Sequence, residues 1–266
     1  MSEIRLASVA GVFYPADRVA LRNQIGAFLH VVGPVPQRAR PPKILIAPHA
    51  GYAYSGAIAA QAYALLAPWR DKVKRVVILG PAHRVATRGI VASSAAAFET
   101  PLGQVAVDRD LVAHSIEMQD TSIHDLAHAR EHAIEVQLPF LQTVLDEPQI
   151  VPLLVGLAAP EAVARLMRHL WDGEDTVFIL SSDLSHYLPD VSARRIDRAS
   201  VERILALRAD LSHEEACGAT AINAGLILAR ENHLKARLLA MCNSGDYIGD
   251  RDKVVGYCAV AFEDLS

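Results

Sequence analysis

Lys43 to Gly56, KILIAPHAGYAYSG, changes character halfway along. Residues 44–47 form a short apolar run of the kind a buried strand shows. Pro48 stops that run, and His49 follows at its carboxyl end. Ser55 reads as the N-cap of a helical stretch over residues 56–66. His49 is therefore expected on a strand-to-helix turn, which in open α/β sheets is where ligands bind.

Two further stretches repeat the arrangement. Residues 75–84, RVVILGPAHR, place His83 after an apolar run and a Gly-Pro pair. Residues 176–187, TVFILSSDLSHY, place Asp183 and His186 just past another. If the three strands are neighbours in one parallel sheet, these groups converge on one pocket. Between and around them, strand-like runs alternate with helical ones, which argues for an α/β fold with a largely parallel sheet covered by helices on both faces. Asp17 is expected to cap a helix through Leu29, and Asp108 one through about Met118. Residues 33–42 hold four prolines and read as a linker. Helices are expected near 159–171, 191–208 and 214–230, with late strands at 234–241 and 254–262. There is no internal repeat, and the expectation is one domain over residues 1–266.

The chain has 266 residues, 52% of them hydrophobic and 21% charged, enough for a large core and too apolar for disorder. A net charge of -4 and the lack of any Lys/Arg-rich run argue against nucleic acid as a partner. The start shows no signal-peptide pattern, and no apolar run reaches the roughly 18 residues of a membrane span, so the expected location is the cytoplasm. Three cysteines, Cys217, Cys242 and Cys258, are read as reduced thiols.

The side chains able to do chemistry are His49, His83, His132, Asp183, His186 and Cys217. Taken singly, each has an ordinary explanation: a loop histidine is more often solvated than ligating, and a cysteine among alanines is more often a small hydrophobe. For Asp183 the ordinary explanation is a turn cap. Their joint placement after apolar runs favours a site. Imidazole and thiolate suit zinc, iron and copper. His124, His128 and His132 lie four apart and would share a face of one unbroken helix, a weaker metal candidate. Pro139 is expected to kink or split the helix that Glu131, His132 and Glu135 open. The chain lacks CxxC, HExxH, a P-loop, GxSxG and GxGxxG, which counts against zinc-finger, zincin, nucleoside-triphosphatase, serine-hydrolase and dinucleotide readings.

Read together, these stretches resemble the Memo family, whose microbial members are described as protein B of the AmmeMemoRadiSam system. The resemblance rests on AGVFYP at 10–15, IAPHAGYAYSG at 46–56, VVILGPAHR at 76–84, EHAIEVQLPFLQ at 131–142, SSDLSHY at 181–187, ACG at 216–218 and NSGDYIGD at 243–250. Ala82 and Ala133 stand where serine is commoner in the family. The family is similar in fold to the class III extradiol dioxygenases. The resemblance implies one transition-metal ion, Fe(II) first and copper or zinc next, held by His49, His83 and Cys217. It places His186 and Asp183 in the pocket beside the metal, where the residue types themselves suit a base, His186, oriented by a carboxylate, Asp183. It puts Tyr14 and Tyr54 in the pocket wall, which in animal members is implicated in peptide binding, and His132 among the groups around the ligand. The implied activity is redox or dioxygenase-like, on a small-molecule or peptide ligand. A functional link to a radical-SAM protein and an AMMECR-type protein is also implied. Two alternatives stay open: a pocket that binds peptide or metal without turnover, and a metal-dependent hydrolase.

Overall fold

The structure is a computed structural model that describes residues 3–264 apart from Asp172 and Glu174, and does not describe the side chain of Ile248. The expectation about the chain's start falls in part on residues 1 and 2, which lie outside the described residues. The architecture is a single α/β domain built on a nine-stranded mixed sheet flanked by helices.

The three apolar runs lie side by side at the centre. Ile44–Ala47, Thr176–Ser181, Arg75–Pro81 and Gln149–Val155 are consecutive neighbours, all parallel. Their near-continuous burial explains why each reads as an unbroken apolar run rather than an alternating one. Register brings their ends level: Ala47 pairs with Ser181, and Leu79 with Leu180. His49, His83 and Asp183 therefore leave the sheet on one edge, as the sequence implied. The sheet is less parallel than expected, because Val254–Glu263 joins Ile44–Ala47 antiparallel and Ile90–Ala92 joins Gln149–Val155 antiparallel. Lys235–Asn243 and His186–Leu188 both pair with Val254–Glu263.

Alternation along Thr176–Ser181 shows how the two faces are covered. Leu180 meets Gly225 of helix Ala219–Glu231. Ser181, pointing the other way, meets the Ala133 carbonyl and Gln137, beside helix His132–Glu135. Two helices thus sandwich the strand whose end carries Asp183.

The caps at Asp17 and Asp108 form as expected, accepting from the N–H groups of Ala20 and Leu111. Ser55 is a correction. The helix starts at Tyr52 with Gly51 in the cap position, and the Ser55 hydroxyl donates to the Ala50 carbonyl from inside the first turn. The region is three helical pieces, Asp125–Ala129, His132–Glu135 and Leu138–Val144, so the helix that Glu131 opens is split as expected, with Pro139 in the first turn of the last piece. The first break separates His132 from the other two histidines. His124 caps the first piece, and buried His128 faces the Val91 carbonyl. Only His132 reaches the strand ends. Among the described residues, no helix is long and apolar enough to cross a membrane.

Candidate metal centre

His49, His83 and His132 meet at the carboxyl edge of the sheet. One ring nitrogen from each lies within 4.8 Å of the others. His83 and His132 stack at 4.8 Å between centroids, and His49 stands edge-on to both, at 5.1 and 5.3 Å. His49 is buried, His132 half-buried and His83 exposed, so the cluster opens on one side. Phe13 packs against the His132 ring at 4.7 Å.

Glu131 sits behind the cluster. Its carboxylate accepts from the His83 backbone N–H at 2.6 Å and from His83 Nδ1 at 2.9 Å. It also accepts from the N–H groups of His132 and Ala133 as the N-cap of the short helix. His132 Nδ1 lies 3.2 Å from the same carboxylate. Burial pushes the Glu131 carboxyl up, but the contacts of His132 and His83 outweigh it and hold it far below the usual carboxylate range. A carboxylate behind a histidine is the arrangement that orients metal-binding imidazoles.

Burial, and then the neighbouring His83 and His132, depress His49 well below the ordinary imidazole value, keeping it neutral and able to ligate. Its backbone N–H donates to Asp183 Oδ1 at 2.8 Å. This changes the expected role of Asp183. Among the described residues no hydrogen bond joins it to His186; its carboxylate ties the end of one central strand to the turn after another. Burial raises the Asp183 carboxyl above its ordinary value, opposed by the His49 N–H and the charge of His186. His186 lines a cleft of about 790 Å³ with His83, His213, Glu214 and Cys217, and its ring packs on Tyr187.

Cys217 closes one side of the cluster. Its Sγ lies 3.3 Å from His49 Nε2. Gly218 makes this approach possible: a Cβ there would come within 2.8 Å of the Ser181 carbonyl oxygen and 2.7 Å of the Ser182 Cβ. Burial and the Asp183 charge push the thiol up to about 12. Cys217 is not part of the set whose donor atoms all lie within 4.8 Å, which consists of the three histidines. Tyr14 lies buried, donating its hydroxyl to Glu135 rather than facing the cleft. Tyr54 is 36% exposed.

The donors suit a metal ion on their own chemistry. Three imidazoles crowd together with one anionic carboxylate behind them, and among the described residues nothing but the Cys217 sulfur takes the nitrogens turned away from Glu131 and Ser181. In the sequence Glu131 reads only as a helix opener, and Ser181 and Gln137 carry no assigned role. The Glu-His pair ahead of a short helix was the available signal for the first; nothing local marked the other two.

The chain matches the family model described as "Memo-like protein" over residues 5–261. It is 36% identical to a "MEMO1 family protein" of Metallosphaera sedula, over 98% of this chain and 99% of that one. It is 35% identical to a protein of the same description from Sulfurisphaera tokodaii, over 98% and 100%. A third, from Sulfolobus acidocaldarius, is 36% identical over 98% and 100%. A match of this extent along both chains makes this chain a member of the Memo family.

Proposed function

We propose that the chain binds one transition-metal ion at the strand-end cluster and uses it for redox or dioxygenase-like chemistry on a small-molecule or peptide ligand in the adjoining cleft. The observation that carries this is the convergence of His49, His83 and His132, with Glu131 orienting His83. His49 and His83 are two of the ligands. Cys217 is the third, because its sulfur already lies against His49 Nε2, and a thiolate favours Fe(II), copper or zinc over harder ions. His132 is the second reading for the third donor, because its nitrogen belongs to the compact set.

When bound, the ion supplies Lewis acidity and redox chemistry at its open coordination positions. The chain's own residues do the rest. Glu131 and Asp183 hold the two imidazole-bearing turns in place. His186, on the cleft wall, gives or takes a proton from a bound ligand. Leu188 and Ile196 offer that ligand apolar surface in the same cleft.

The test is metal analysis of protein purified without oxygen, then oxygen uptake over a panel of catechols. His186→Ala is expected to keep the metal and lose turnover. Fe(II) titrations of Cys217→Ser and His132→Gln separate the two donor sets by which loses more affinity. Protein that binds metal tightly but consumes no oxygen with any substrate would instead be a binding module. Protein that binds no transition metal would end the proposal.

A further inference from the structure

The hydrogen bonds behind His49 determine where its ring proton sits. Gln137 Nε2 faces the Pro48 carbonyl at 3.0 Å, and a carbonyl only accepts, so the amide nitrogen is the atom on that side. The amide oxygen then accepts from the Tyr63 hydroxyl at 2.7 Å, which leaves the orientation of Gln137 consistent at both ends. The same nitrogen donates to Ser181 Oγ at 2.8 Å. Ser181 Oγ also lies 2.6 Å from the Ala133 carbonyl, again a pure acceptor, so the single hydroxyl proton is committed there. His49 Nδ1 lies 2.8 Å from that oxygen. With the serine proton already used, His49 Nδ1 must be the donor.

From this we infer that Ser181 is a positioning residue: it holds His49 as the Nδ1–H tautomer and so leaves Nε2 bare toward the metal centre. The value of a bare Nε2 rests on the metal-binding reading above; the tautomer itself does not. All partners are buried, so water does not compete for the ring nitrogen. The hydrogen bond at one imidazole nitrogen sets which nitrogen remains free to ligate. Ser181 belongs to the strand end, Ala133 to the short helix and His49 to the turn. One hydroxyl thus registers three segments against each other.

Long-range ¹H–¹⁵N correlation spectra of ¹⁵N-histidine protein, metal-free and near neutral pH, read the tautomer directly. The His49 signals are identified by their loss in His49→Asn. The wild type is expected to show the Nδ1–H pattern. Ser181→Ala is expected to shift His49 toward Nε2–H and to weaken Zn(II) binding by roughly 10–100-fold. Ser181→Thr, which keeps the hydroxyl, is expected to retain the wild-type pattern. An Nε2–H pattern in the wild type would overturn the inference without any variant, and an unchanged pattern in Ser181→Ala would overturn the role of Ser181. If the tautomer behaves as stated but the wild type binds no metal, the inference stands and the proposed function fails.

Discussion

Glu131 takes both the backbone N–H and the ring Nδ1 of His83, a pincer that fixes the turn and the side chain together. Glutamine in its place has one acceptor oxygen and one donor group, and would turn N–H toward at least one of four donors. Glu131→Gln is therefore expected to lower metal affinity by roughly 10–100-fold. Competition titration with a chelator measures it. Wild-type affinity in this variant would mean that His83 needs no such orientation.

The three cysteines are expected to separate cleanly. Cys217 Sγ contacts His49, whereas Cys258 is buried in the strand Val254–Glu263 and Cys242 lies on Lys235–Asn243. Cys217→Ser replaces a soft donor with a neutral hydroxyl and is expected to weaken Cu(I) more than Zn(II). Cys242→Ser and Cys258→Ala should leave both affinities unchanged. Equal losses in all three variants would remove Cys217 from the site.

Glu135 and Arg5 form a buried ion pair, and Glu135 also accepts from the Ser8 and Val9 N–H groups. Glu135→Ala leaves the guanidinium buried without its counter-charge, at an expected cost of about 3–5 kcal/mol in urea unfolding. Burial works to raise the Glu135 carboxyl, but the Arg5 charge and the hydrogen bonds from Tyr14 and Arg5 bring it net below its ordinary value of 4.5. The sign follows: the unfolded chain protonates first. The network's contribution is complete above that ordinary value and lost as pH falls through the lower, folded one. Equilibrium unfolding of wild type and Glu135→Ala between pH 7 and 3 should show the two curves converging as the pH drops.

His128 predicts an acid-side slope of its own. Burial, reinforced by the Arg5 charge, pushes its imidazole from 6.5 down to about 4. Between those values the unfolded chain holds a proton that the folded one does not. Its share of stability is fully present above pH 6.5 and falls by roughly 3 kcal/mol as the pH approaches 4. His128→Gln should unfold with a shallower pH dependence over that window. An identical slope would show that His128 is not buried neutral.

Much of this was legible in the chain and some was not, for physical reasons. Apolar runs ending in Pro-His, Gly-Pro-Ala-His and Ser-Ser-Asp mark buried strands with polar ends, so the placement of His49, His83 and Asp183 could be read directly. Strand neighbours could not, since Thr176–Ser181 inserts between Ile44–Ala47 and Arg75–Pro81 by long-range pairing alone. His124, His128 and His132 are spaced as on one helix, but the chain breaks after Ala129 and again after Glu135, and the breaks decide which histidine arrives. The family resemblance puts Tyr14 in the pocket wall, and nothing local shows that its partner is Glu135, distant in sequence. Asp183 looked like a partner for His186, its near neighbour, yet it holds the N–H of His49.

The clasp on Glu135 also constrains biosynthesis. Tyr14 and Glu135 are 121 residues apart, so at ribosomal rates the opening segment waits roughly 6–24 s for its partner to be made. Ser181 and Cys217 follow later still. A nascent chain that carries His49, His83 and His132 therefore still lacks the strand end that braces the first of them. An ion held by Cys217 as well as the histidines therefore has to arrive after residue 217 has been made.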